Sequence, residues 1–302
     1  MTHLKAFLRN RNGIFFLAMV AGLLIPWAAP VMKHLILPAL ALAMTLSTME
    51  IENDVFTRPR ALLMPALMGI IMNYFILGNV IIGLSALMIR DEDLWTGFVL
   101  LAAAPPAVAV IPFSTFLRGN GPLSLIGTVG AYLGALVITP LITVTLLSTA
   151  AFDPFKLIMI TLELIVLPLA LSRLLIRKGL KERIQPYRGT IVNWSFFMVL
   201  YTMVGLNRDV LLGQTWSLLP VAAISFLSMF LLGFLVDWVS GLFHAPREIR
   251  MSLVLLGTLK NQGLSSGLAL TLFSQEAAIP STVATMTMIG YVAWLDIRKR
   301  WE

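Results

Sequence analysis

Residues 252–273 read SLVLLGTLKNQGLSSGLALTLF, an apolar run interrupted at its centre by Thr258-Leu259-Lys260-Asn261-Gln262-Gly263. Lys260 lies ten residues beyond Arg250, which on a helix places it about 15 Å deep, near the middle of a hydrocarbon core of about 30 Å. Insertion of a lysine there costs roughly 2.5–3.5 kcal/mol, so the side chain needs water, a partner or a task. The Asn, Gln and Gly beside it indicate that the helix itself loosens. A second break, Pro105-Pro106-Ala107-Val108-Ala109-Val110-Ile111-Pro112, interrupts an apolar segment in the first half of the chain. Pro106 and Lys260 are separated by about half of the 302 residues. Paired interrupted helices at corresponding positions of two halves are the sequence signature of inverted repeats.

The wider composition agrees. With 58% hydrophobic and 12% charged residues, the chain reads as an all-α polytopic membrane protein. Ten apolar segments are expected, at about 13–30, 34–49, 61–89, 94–117, 121–150, 155–176, 189–206, 215–243, 249–273 and 277–296. With the N-terminus inside, 17 of the 22 Lys and Arg fall on the cytoplasmic side. Only Lys33, Arg90, Lys156 and Arg208 fall outside, with Lys260 between the two. This asymmetry predicts an even number of spans with both termini cytoplasmic. The net charge of +7 is then a juxtamembrane signal directed at lipid headgroups, and no nucleic-acid partner is expected. A signal-peptide reading of the first thirty residues would leave an odd number of spans.

Several patterns are read as structural. There is no cysteine, and His3, His34 and His244 are far apart, so neither disulfide, thiol chemistry, metal site nor cofactor is expected. Gly263-Leu264-Ser265-Ser266-Gly267 matches the G-x-S-x-G elbow of serine hydrolases, but a membrane helix without a nearby histidine cannot form one. Gly263 and Gly267 are expected to let another helix approach, as are Gly127, Gly130 and Gly134. No enzyme is expected. Asp237 is read as interfacial. Glu163, mid-span in the sixth segment, is either a hydrogen-bonded carboxyl or a charge partner of Lys260 with a proton-carrying role. Asn73, mid-span in the third segment, is a candidate lining residue.

The chain resembles the bile acid:sodium symporter family. The resemblance rests on Ala43-Met44-Thr45-Leu46, Arg58-Pro59, Pro105-Pro106-Ala107, Leu117-Arg118-Gly119-Asn120, Ile138-Thr139-Pro140 and Lys260-Asn261-Gln262-Gly263-Leu264. It implies ten helices in two inverted five-helix repeats, 1–150 and 151–302. Spans 1, 2, 6 and 7 would form a panel, and the remainder a core in which the broken fourth and ninth helices cross. One family sodium site aligns with Val110, Ile111, Ser124, Thr128 and Leu256, where three of five oxygen-bearing side chains are missing. A second aligns with Leu256, Lys260 and Asn73. An ammonium repels a hard cation, which argues against sodium at both sites.

The expectation is therefore a secondary active or facilitative transporter of a small organic anion in a bacterial inner membrane, working by alternating access. Lys260 would replace the coupling sodium, and proton coupling stays open. The expected substrate-binding residues are Pro105, Pro106, Ala107, Val108, Thr258, Leu259, Lys260, Asn261, Gln262 and Asn73. Lys260, Ser124, Thr128 and Glu163 are expected to serve the coupling ion or its substitute. Two alternatives are a sodium symporter with a rearranged site and a non-transporting binding or sensor protein.

Overall fold

The computed structural model describes residues 11–49, 59–147, 154–213 and 218–301. Lys5, Arg9 and the acidic stretch before Arg58 lie outside them. Among the described residues the fold is entirely helical. Its elements are α1 (Arg11–Leu24), α2 (Pro26–Thr48, with two 3₁₀ turns), α3 (59–88), α4 (Glu92–Ala103), α5 (Val110–Phe116) and α6 (Gly121–Leu146). They continue with α7 (Pro154–Arg177), α8 (Lys181–Leu206), the short α9 (Arg208–Gly213), α10 (Leu219–Leu242), α11 (Arg247–Leu256), α12 (Gln262–Leu272) and α13 (Ile279–Trp301). Six described helices are long and apolar enough to cross a membrane, namely α2, α3, α6, α8, α10 and the segment 276–298 within which α13 begins. This is an integral membrane protein. Leu63, Phe75, Val137, Leu231 and Phe234 are exposed, as lipid-facing side chains are.

Two helices contain a wider turn. Ile71–Gly78 in α3 and Leu227–Leu231 in α10 are π-helical, a widening that shifts side chains around the axis and often marks functional sites. Asn73 and Tyr74 lie in the first of these.

The helices pack in two groups. α8 lies against α1 and α2, and α7 against α2. In the other group α3 packs on α6, α4 on α6 and α12, α10 on α11, and α13 on α4 and α12. Small residues make the closest crossing. A Cβ on Gly130 would sit 2.5 Å from Ala66 Cβ, and one on Gly69 would collide with the Gly127 backbone, so the glycines of α6 are packing residues as expected. Gly263 and Gly267 face Leu40 and Leu37 of α2 in the same way. Arg173 of α7 donates to Thr48 O at 2.5 Å and Arg208 to Leu23 O at 2.7 Å, so guanidinium groups cap the carbonyl ends of α2 and α1.

Candidate functional site

α4 stops at Ala103 because Pro105 and Pro106 have no N–H for the next turn. The chain runs extended through Pro106 and resumes as α5 at Val110. Pro112, read from sequence as part of the break, instead lies in the first turn of α5, where a missing donor costs nothing. α11 likewise stops at Leu256, and the backbone is non-helical until Asn261 caps α12, its Oδ1 accepting from Leu264 N at 3.0 Å.

The two extended stretches pair. Pro106 and Lys260 form an isolated antiparallel bridge. Ala107 N donates to Leu259 O at 3.0 Å, and Asn261 N to Pro105 O at 2.8 Å. Each break thus supplies hydrogen bonds that the other lacks, which makes irregular backbone tolerable in a membrane.

The lysine completes the accounting. In a continuous helix the Ala102 carbonyl would accept from residue 106, which is proline. Lys260 Nζ takes that place, donating to Ala102 O at 2.6 Å, Ala104 O at 2.9 Å and Asn73 Oδ1 at 2.8 Å. Its three protons meet three oxygens at the negative end of α4. The Tyr74 ring centroid lies 4.7 Å from Nζ, adding a cation–π contact. Lys260 is 2% exposed. The remaining carbonyl, Ala103 O, accepts from Thr139 Oγ1 at 2.6 Å.

The expected site residues separate into those behind the crossing and those in front of it. Lys260, Asn73, Leu259, Pro105 and Pro106 form the buried joint itself. Thr258 Oγ1 turns back to Val254 O at 2.6 Å, closing the end of α11. Ala107, Val108, Asn261 and Gln262 line a narrow crevice whose opposite wall includes Phe15, Phe196, Leu200 and Met203. Gln262 Nε2 and Asn73 Nδ2 are buried without a protein partner, whereas Asn261 Nδ2 donates to Tyr132 Oη at 2.8 Å. A second narrow crevice shares Val108 and includes Ile111, Thr128 and Tyr132.

Ser124 Oγ and Thr128 Oγ1 are buried on α6 without a hydrogen-bond partner. Beside them Leu256 Cδ1 lies 2.8 Å from where a Gly127 Cβ would stand, and Val110 and Leu256 are fully buried. Of the two readings left open for Glu163, pairing with Lys260 is not seen. Glu163 is exposed on α7, and the donors of Lys260 are spent on Asn73, Ala102 and Ala104, so the two do not pair. Asp237 ion-pairs with Arg250 and Arg298 at 2.8 Å. Tyr74, Tyr132 and Thr139 were missed from sequence. Among the described residues no cluster of His, Asp and Glu could hold a metal.

Interrupted helices that meet inside the membrane are a feature from which many transporters build their sites. The model of the sodium bile acid symporter family matches residues 30–214, about three fifths of the chain, and the protein belongs to that family of membrane transporters. The matched stretch includes the proline break, Ser124 and Thr128 and ends before Lys260. Comparison with curated proteins finds no match.

Proposed function

We propose that this protein moves a small organic anion across the membrane by alternating access, with the Lys260 ammonium standing in for a coupling sodium. The observation that carries the reading is the coordination of Nζ by three oxygens at 2.6–2.9 Å. A tethered cation there neutralises the carbonyl end of α4 permanently, so the crossing would need no ion from solution to hold it.

The proposed architecture is ten spans in two inverted repeats with both termini cytoplasmic, in which α1, α2, α7 and α8 form the panel. Two pairs of features at similar offsets support the repeats. The breaks at Pro106 and Lys260 are one pair, and the π-helical segments starting at Ile71 and Leu227 are the other. Packing is densest within each helix group, and the contacts between them, α7 on α6 and α12 on α2 among them, form the seam along which a panel would rock against a core.

For the substrate, the N-terminus of α12 and the unpartnered Gln262 amide favour an anionic head such as a carboxylate or sulfonate at the crevice. Phe15, Phe196 and Met203 opposite favour an apolar body. The lysine's protons are already engaged, so its contribution to the substrate is a field from behind the joint.

The test is uptake of radiolabelled carboxylates and sulfonates, taurocholate among them, into proteoliposomes. Uptake should be nearly unchanged when choline replaces all sodium. A pH gradient separates proton coupling from facilitated diffusion. Loss of most uptake in choline would favour the second reading, sodium coupling through a rearranged site, for which the unpartnered hydroxyls of Ser124 and Thr128 speak.

A further inference from the structure

We propose that Tyr132 is a positioning residue for the substrate: through Asn261 it holds the first turn of α12 in the form that presents its N–H donors to the first crevice. This rests on the anion-binding reading of that crevice given above.

Asn261 is spent on the protein. Its N–H donates to Pro105 O at 2.8 Å and its carbonyl accepts from Ser265 N at 3.1 Å. Its Oδ1 accepts from Leu264 N at 3.0 Å, and its Nδ2 donates to Tyr132 Oη at 2.8 Å. Each of its four polar atoms is engaged inside the protein, although the residue lines the crevice. Two donors of the same turn have no acceptor among the described residues, the Gly263 N–H and Gln262 Nε2, and both residues stand on the crevice wall. Asn261 is therefore the cap that sets the turn, and its two neighbours are the groups that face a ligand.

Tyr132 decides how firmly the turn is set. A capping asparagine restrains the first turn only while its side chain stays in place, because swinging away leaves the N–H it capped unpaired. Tyr132 Oη is the only acceptor the structure assigns to Asn261 Nδ2 among the described residues. With Oδ1 on Leu264 and Nδ2 on the phenol, the amide is held at both ends. The phenol is itself fixed, its ring buried on α6 in a cluster with Met44, Tyr74, Val108 and Ala135. Tyr132 lines the second crevice and not the first, so its effect on a substrate passes through Asn261. Donors placed before the ligand arrives lower the ordering cost of binding, which is felt as affinity.

The experiment uses the full-length protein with two readouts. Hydrogen–deuterium exchange in nanodiscs follows the peptide spanning residues 259–266, and proteoliposome uptake gives KM and maximal rate for taurocholate. Tyr132→Phe keeps the ring and removes one hydrogen bond. Exchange at the Leu264 N–H should quicken by about two- to tenfold, with KM raised by a similar factor and the maximal rate little changed. Asn261→Ala should do the same, and Tyr132→Phe should add nothing in that background, as a residue acting through Asn261 requires. Exchange equal to that of the parent, quicker exchange with an unchanged KM, or an undiminished effect of Tyr132→Phe in the Asn261→Ala background overturns the proposal. Absence of uptake by the parent counts against the proposed function instead, and the exchange measurements on the single and double variants then decide whether Tyr132 positions α12.

Discussion

Lys260 and the Ser124–Thr128 face of α6 sit on neighbouring elements of one core, yet their polar groups are treated oppositely. At Lys260 a buried cation has every proton assigned to an oxygen. At Ser124 and Thr128 two buried hydroxyls have no partner, and Leu256 fills the space beside Gly127. Burial is tolerated in the first region because charge and hydrogen bonds close together. In the second, two unmade hydrogen bonds persist because a hydroxyl costs far less to bury than a charge.

The largest effect expected from breaking this comparison is at Lys260. Lys260→Ala removes the donors to Ala102 O, Ala104 O and Asn73 Oδ1 together. At roughly 1–3 kcal/mol for each orphaned acceptor, several kcal/mol of stability should be lost. Thermal unfolding of the purified protein measures the loss, and proteoliposome uptake should fall with it. Full retention of both would make the lysine incidental and remove the basis of the proposed ion replacement.

A smaller effect is expected at Thr139, whose hydroxyl is the only donor the structure assigns to Ala103 O among the described residues. Thr139→Val keeps the shape and removes that bond. A loss of about 1–3 kcal/mol is expected, again read by thermal unfolding. An unchanged Tm would mean that the end of α4 depends on Lys260 alone.

The breaks were legible because Pro-Pro and a polar hexapeptide stand out in apolar sequence, and their partnership followed from the half-length offset. What closes them was not. Tyr74, Tyr132 and Thr139 are ordinary residues of membrane helices, and their roles depend on how α3 and α6 rotate about their axes. The π-helical segment that turns Asn73 and Tyr74 to Lys260 has no sequence signal we could read. The placement of Glu163 was left open for a related reason. Position along a span gives depth, whereas azimuth decides whether a residue faces lipid or core, and the mixed polarity of α7 did not fix it. Lys260 was easier because its charge could not be satisfied on a lipid-facing side.

A gain of function would sharpen the contrast between the two regions. Lys260→Gln combined with Leu256→Glu withdraws the tethered ammonium and adds a carboxylate beside Ser124 and Thr128. We expect the double variant to acquire sodium-dependent thermal stabilisation at constant ionic strength, with choline giving none. The rise follows the occupancy term, about 1.4 kcal/mol for each factor of ten in sodium above its dissociation constant. Equal Tm values in sodium and choline would show that the oxygens near Gly127 cannot converge on a cation.

The smallest effect is expected where the comparison places no bond to lose. Ser124→Ala and Thr128→Val each delete a hydroxyl that has no protein partner. Replacing an unsatisfied buried hydroxyl with an apolar group of similar shape is close to neutral, because the lost desolvation penalty offsets the small loss of packing. Each change should therefore alter stability by less than about 1 kcal/mol, and sodium should have no more influence on the variants than on the parent. The same pair separates the two functional readings. If these hydroxyls ligate a coupling ion, their removal must abolish a sodium dependence that the parent already displays. If Lys260 has replaced that ion, uptake in choline should survive both substitutions, because the charge that holds the broken helices together is covalently attached and lies on the other side of the joint.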